Sequence, residues 1–338
     1  MCRHWAGWGH PGRGGMASRF TNPDGSTPIN GDCVLDRLAG LMWPKNAYHG
    51  SMTWYQAMDY ANNFTMCGYS DWFLPNVNEL ESLINANEPD SAIWLNSQGF
   101  YNVQSNFYWS STSYSSSYAW FVYMAGGNVY HYSKDNYYTV WPVRSAHQSE
   151  PDMSYPANLW QTGQKISYYT GDDGDLEGGV TWPDPRFRDN WDGTVTDNLT
   201  GLMWLKDADC MTTQYPSYNF YGDFIWEEAL DFVKGINTGT YSICGAGYYD
   251  WRMPNRKEIM SLADRPRNYP ALPAGFPFIN VQPSWYWSST VSADFTKMAW
   301  PDRMWDDYLN VYGDYNLYVW PVRGGQVGAP VSYYCDKD

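Results

Sequence analysis

Positive charge is scarce in this chain. Its 338 residues carry 21 Lys and Arg against 36 Asp and Glu, a formal net charge of -15. A surface this acidic repels phosphate backbones, anionic lipid and sulfated polysaccharide, so no nucleic acid partner is expected. Long apolar runs are missing too. Nothing approaches the roughly 18 consecutive apolar residues that a membrane-spanning helix requires. The opening stretch, MCRHWAGWGHPGRGG, has no apolar segment of the kind a secretory signal needs, and Met16 offers an alternative start. Histidine is limited to five residues, and no Cys-x-x-Cys occurs, so no metal site is expected from spacing. The nucleophile elbow G-x-S-x-G, the zinc motif H-E-x-x-H, phosphate loops and dinucleotide fingerprints are all absent. The expectation is a protein with no catalytic residues.

What is abundant is aromatic surface. Aromatic residues make up 19% of the chain, with 30 Tyr and 20 Trp, against 17% charged residues. Tyr and Trp supply large rigid contact area with a polar handle, which suits wet binding faces as well as cores.

Five sequence blocks occur twice, in the same order. GLMWPK at 40–45 returns as GLMWLK at 201–206, and TWYQAMDYA at 53–61 answers IWEEALDFV at 225–233. DWFLPNVNELESL at 71–83 returns as DWRMPNRKEIMSL at 250–262. YWSST recurs at 108–112 and 286–290, and VWPVR at 140–144 and 319–323. This is a duplicated domain. The boundaries read as an N-terminal extension 1–17, a first domain 18–145, a linker 146–159, a second domain 160–325 and a tail 326–338 outside the repeat.

Within each copy, apolar residues at helical spacing (Trp226, Ala229, Leu230, Val233) predict an amphipathic helix. Asn76 with Glu79, and Asn255 with Glu258, have capping-box spacing and predict the start of a second helix. YWSST, AWFVY and VWPVR read as short strands. Two helices followed by a strand-rich half make an α+β domain. Trp43, Trp72, Trp109 and Trp141, with their counterparts Trp204, Trp251, Trp287 and Trp320, are expected in the cores.

Each copy holds one Cys near the GLMW strand and one before the DW block, so disulfides Cys33–Cys67 and Cys210–Cys244 are expected, implying an oxidising compartment. Cys2 and Cys335 are left over. Asp71 and Asp250 read as structural residues, paired with Arg144 and Arg323 at the ends of the VWPVR segments. DNWDGTVTD at 189–197 and GDDGD at 171–175 space carboxylates somewhat like a calcium loop, but an Asp-Gly hairpin explains the first equally. Glu88-Pro89-Asp90 is a near miss to a sugar–calcium signature. No cofactor is expected, calcium being the single alternative.

The stretch from TGQKISYYTGDDGD through DNWDGTVTDNLTGLMWLKDADC to YYDWRMPNRKEIMSL, YWSST and VWPVRGG closely resembles the DUF1566 family, the domain at the C-terminus of the Legionella collagen-like adhesin. The first copy resembles it over about 18–145, with a degenerate opening and Phe73 in place of Arg252. The resemblance implies secretion, a C-type-lectin-like fold with two helices on a small, twisted, mostly antiparallel sheet, and a ligand-binding role.

Between YWSST and VWPVR the copies differ and fill with Tyr, Asn, Asp, Ser and Trp, a composition like that of antibody binding loops. In lectin-like folds this segment forms the ligand face. The candidate contacts are Trp305, Asp306, Tyr308, Asn310, Tyr312, Asp314, Tyr315 and Asn316. Their first-copy equivalents are Tyr123, Asn128, Tyr130, His131, Tyr132, Asp135, Asn136 and Tyr137. An ordinary solvent-facing, Tyr-rich sheet accounts for the same composition. The leading expectation is a secreted or cell-surface adhesion protein that binds glycan or protein. The alternatives are a subunit assembling with copies of itself into an extracellular filament or layer, and a genetically diversified phage or retroelement receptor binder.

Overall fold

The computed structural model describes residues 18–146, 159–216, 223–291, 293, 299–304, 308–309 and 316–324. The chain divides into two compact units between Val180 and Thr181.

The first unit begins with β1 (Phe20–Thr21), β2 (Cys33–Asp36), β3 (Leu41–Pro44) and β4 (Ser51–Met52). Helix α1 (Trp54–Asn62) starts where Thr53 accepts the amide of Gln56 and Gln56 returns a bond to the Thr53 amide. Its buried residues, Trp54, Ala57, Met58 and Ala61, follow the i, i+3, i+4, i+7 spacing of a helix with one face in the core. Helix α2 (Val77–Glu81) opens on the Asn76–Glu79 capping box foreseen from the sequence. Helix α3 (Ser91–Ser97) was not foreseen. Asp90 caps it by accepting the amides of Ala92 and Ile93, so the Glu-Pro-Asp run serves a helix start.

Strands β5 (Phe107–Ser113), β6 (Tyr118–Tyr123), β7 (Val129–Ser133), β8 (Tyr138–Thr139) and β9 (Arg144–Ser145) follow. One antiparallel sheet runs β1-β2-β3-β9, and β7-β6-β5-β8-β4 form another array in which only β5 and β8 pair parallel. VWPVR is mostly not a ladder strand. Arg144 pairs in β9, Val143 bridges Phe73, and Val140 exchanges backbone bonds with His49 and Gly50, while Pro142 between them has no amide to donate. Trp141 instead drops into the core and donates to the Pro44 carbonyl at 3.0 Å.

The second unit repeats the plan. It holds β10 (Phe187–Asp189), β11 (Thr194–Asp197), β12 (Met203–Leu205), α5 (Cys210–Gln214), α6 (Trp226–Asn237), α7 (Arg256–Met260), β13 (Trp285–Val291), β14 (Ala299–Arg303), β15 (Tyr308–Leu309) and β16 (Val322–Arg323). Here β10-β11-β12-β16 form the small sheet, and β13, β14 and β15 pair antiparallel in that order. The architecture is thus mixed α+β, with small, mostly antiparallel sheets and few helices.

All eight tryptophans expected in the cores are at most 3% exposed. Their indole donors repeat as well. Trp109 donates to Met52 and Trp287 to Phe224, while Trp141 donates to Pro44 and Trp320 to Leu205. Both expected disulfides form, with Cα separations of 6.5 Å for Cys33–Cys67 and 5.8 Å for Cys210–Cys244.

The degenerate opening of the first copy is less divergent in space than in letters. Arg19 pairs with Asp36 and reaches the Ser82 carbonyl; Arg186 pairs with Asp197 and reaches the Ser261 carbonyl. Phe20 packs on Phe100 as Phe187 packs on Phe278, each with ring centroids 5.0 Å apart.

Residues 159–180, read from the sequence as the last linker residue and the opening of the second domain, pack on the first unit. The segment closes on itself through a parallel bridge between Trp160 and Val180, and it carries a short helix, α4 (Asp173–Leu176), capped by Asp172. The side-chain amides of Asn62, Asn76 and Asn78 donate to the carbonyls of Thr170, Gly178 and Trp160. The physical reason is polar satisfaction: a chain with little regular structure must place its backbone groups on partners, and three asparagines of α1 and α2 supply them. We call this segment the strap.

Candidate functional site

Period-two alternation governs where the candidate contacts of the first copy lie. On β7, Tyr130 lies beside Phe121 and Tyr132 beside Ala119, on the face that packs toward α1. His131 lies beside Trp120 on the opposite face, stacked on Tyr114 at 3.8 Å and edge-on to Trp120 at 5.0 Å. The structure therefore splits Tyr130 and Tyr132 from His131. Tyr123, Asn128, Tyr130, His131 and Asn136 are half-buried, whereas Tyr132, Asp135 and Tyr137 are exposed, Tyr132 by 55% and Tyr137 by 64%. A turn holds this exposed group: Asn136 donates from both its amides to the Ser133 carbonyl, and Asp135 donates its backbone amide to Ser133 Oγ. In the second copy, Asn316 is exposed, and Tyr308 lies in β15. Trp305, Asp306, Asn310, Tyr312, Asp314 and Tyr315 lie outside the described residues.

Two features of the first unit were not visible in the sequence. The first is a caged lysine. Lys134, at the end of β7, is 1% exposed, with its ammonium 3.8 Å above the Trp54 ring and 4.9 Å from that of Tyr168 in the strap. Burial pulls its pKa down to about 8, against the favourable charge of Asp172. Three aromatic rings, counting Tyr55, thus substitute for water around the charge. Only the single Lys of this spacer, followed directly by Asp135, hints at this.

The second is a cleft of about 890 Å³ between the body and the strap, lined by Asn62, Asp71, Trp72, Glu79, Ser145, Thr170 and Asp175 among others. Its volume lies in the range of small-ligand sites. Burial pushes the Glu79 carboxyl up to about 8, opposed by the Asn76 amide it accepts. Asp173 sits nearby, accepting hydroxyls from Thr112 at 2.8 Å and Thr162 at 2.5 Å, and burial raises it to about 6. The cleft is therefore less anionic near neutral pH than its composition suggests.

The carboxylates that resembled calcium loops have other work. Asp189 pairs with Lys206, Asp192 accepts Thr194, Asp197 caps the turn at Leu199 and Thr200, and Asp175 accepts the Gly171 amide. Asp71 and Asp250 each hold an arginine in a two-bond fork, Arg144 and Arg323, and those arginines keep both carboxyls below their ordinary range. Each arginine also lies over a tyrosine ring, Tyr69 or Tyr248. These are structural clamps that tie the last strand to the start of the second helix.

The family model of the Lcl C-terminal domain matches residues 32–144 and again 193–323. The chain belongs to this family, in two tandem copies. No curated protein matches it. Membership points to a surface, adhesin-type protein, and the two disulfides are consistent with an extracellular location. Among the described residues no helix is long and apolar enough to cross a membrane.

Proposed function

We propose that this member of the Lcl C-terminal domain family is a secreted or cell-surface, non-catalytic binding protein that recognises glycan or protein ligands. A C-type-lectin-like fold is part of this reading. The observation that carries it is the exposed group at the end of β7, where Tyr132 on the strand and Asp135 and Tyr137 beyond it flank a turn held by bonds from Asp135 and Asn136 to Ser133. Rigid tyrosines offer stacking area at low entropic cost, and the neighbouring Asp and Asn orient hydroxyls or amides. The second copy contributes its own set, centred on Trp305 and Tyr312.

Screening the full chain on arrays of neutral glycans and on cell-surface protein extracts tests this. A hit should lose at least ~10-fold in affinity in Tyr132→Ala/Tyr137→Ala, with an unchanged melting temperature, as expected for contact residues. Because aromatic stacking supplies most of the contact, affinity should change only modestly between low and high salt. Long ordered filaments of the purified protein under the electron microscope, without any such hit, replace this reading with self-assembly.

A further inference from the structure

The strap completes the first unit, although the family match leaves it between its two regions. Tyr169 sets its ring edge against Trp54, at 6.1 Å, and donates its hydroxyl to Asp59 at 2.8 Å. With this cover in place, Trp54 and Met58 of α1 are fully buried. Helix α6 carries the same face one repeat later: Trp226, Leu230 and Asp231 stand where α1 has Trp54, Met58 and Asp59. The indole is anchored alike, Trp226 donating to the Ser288 carbonyl as Trp54 donates to that of Ser110. Yet Trp226 is only half-buried, and Leu230 is 38% exposed.

The second copy is also followed by a short segment, Gln326–Asp338, which lies outside the described residues. QVGAPVSYYCDKD matches QTGQKISYYTGDD, Gln161–Asp173, without a gap. Gln326, Gly328, Ser332, Tyr333, Tyr334 and Asp338 repeat the residues of the strap. The matches fall where the strap does its work. Tyr334 answers Tyr169, Asp338 answers the buried Asp173, and Gly328 answers Gly163, whose φ of +96° requires glycine. The tail that looked like a non-repeated end therefore continues the repeat.

We propose that Gln326–Asp338 is the second unit's own strap and docks on the α6 face of Trp226, Leu230 and Asp231. Reach permits it. Arg323 is the counterpart of Arg144, and in the first unit the next residue, Ser145, lines the same cleft as Thr170 and Gly171 of the strap. The eleven residues from Arg323 to Tyr334 can extend over roughly 36–40 Å, more than a cleft of this size demands. The second strap is the weaker one. Ala329 replaces Gln164, which binds the Ser113 amide, and Lys337 replaces Asp172, which caps α4.

Amide hydrogen exchange on the full chain, on a chain ending at Gly325, and on full-length Tyr334→Ala tests the assignment. Loss of the tail should speed exchange in α6, Trp226–Asn237, by ~10-fold or more while leaving α1 unchanged, and Tyr334→Ala should act in the same direction. A synthetic peptide of residues 326–338 added to the shortened chain should restore protection. In the intact protein that protection should not depend on protein concentration. Unchanged exchange in α6 after truncation overturns the proposal. So does a loss of protection in α1 instead, or protection that appears only at high concentration and marks a tail from another copy.

Discussion

Helices α1 and α6 descend from the same stretch of sequence and end up with different amounts of water on them. Both are started at Trp, both bury an alanine one turn on, and both tether the Trp indole to the strand that follows the second helix. Met58 is fully buried and its counterpart Leu230 is not. The buried faces differ as well: α1 buries Trp54, Ala57, Met58 and Ala61, whereas α6 buries Ala229, Phe232, Val233 and Ile236. So does the cover among the described residues: twenty-odd mostly polar residues lie on α1, held by asparagine side chains. The lesson is that a helix's apolar face is specified locally, while the identity of what shields it is not.

The cores should behave alike, and truncating them is the hardest test of the comparison. Trp141→Ala and Trp320→Ala each remove a fully buried indole with one hydrogen bond, so each should destabilise its own unit by about 3–5 kcal/mol. Calorimetry of the intact chain, with each variant lowering a different transition, checks this. A single shared shift in both variants breaks the picture of two separately folded units.

Disulfide removal comes next. Both bridges span a sequence separation of 34 residues, so Cys33→Ser/Cys67→Ser and Cys210→Ser/Cys244→Ser should cost similar amounts, about 3–4 kcal/mol by loop-closure entropy. Chemical denaturation of the two double variants measures it. A difference beyond ~1 kcal/mol places part of the effect in local packing.

A smaller contrast lies at Phe73 and Arg252, the position where the copies differ most visibly within a repeated block. Arg252 forks onto Glu258 at 2.5 and 2.6 Å, whereas Glu79, the counterpart of Glu258, is buried without an arginine. Glu258→Gln should therefore cost about 1–2 kcal/mol, and Glu79→Gln should instead raise stability at pH 8, where burial of the native carboxyl opposes its ionisation. Thermal melts of the two variants side by side decide it.

The same pair sets the smallest effect, on pH. In the folded first unit, Glu79 and Asp173 hold their protons to about pH 8 and 6, although the unfolded chain releases them near ordinary carboxylate values. Folding then takes up protons, so stability falls as pH rises from roughly 4 to 8. In the second unit a different carboxyl, Asp209, is raised to about 6 by burial, and its window closes there. Between pH 6 and 8 the first transition should move down in temperature and the second should stay. In Glu79→Gln the first transition should stay as well.

Much of the fold was legible because its signals are local. Asn76 and Glu79 are three residues apart, and the bonds that start α2 form between them. The cysteine pairs, the core tryptophans and the Asp–Arg clamps were legible for a different reason: duplication shows each of them twice. The candidate contacts of the first copy were legible as composition but not as geometry. Alternation along β7 sends His131 to one face and Tyr132 to the other, and no residue count shows which side is wet. Lys134 in its ring of aromatics depends on Trp54, eighty residues earlier, and Tyr168, in the strap.

The sequence by itself determined two copies of one α+β plan, the helix starts, the disulfide pairing and the buried tryptophans, because repetition and short-range hydrogen bonding leave their marks in adjacent letters. Only the tertiary structure decided that residues 159–180 belong to the unit before them. That choice rests on contacts such as Asn62 with Thr170 and Tyr169 with Asp59, made across more than a hundred residues. A polar segment with satisfied backbone groups carries no periodic pattern, so its docking surface emerges only when the partners are folded beside it.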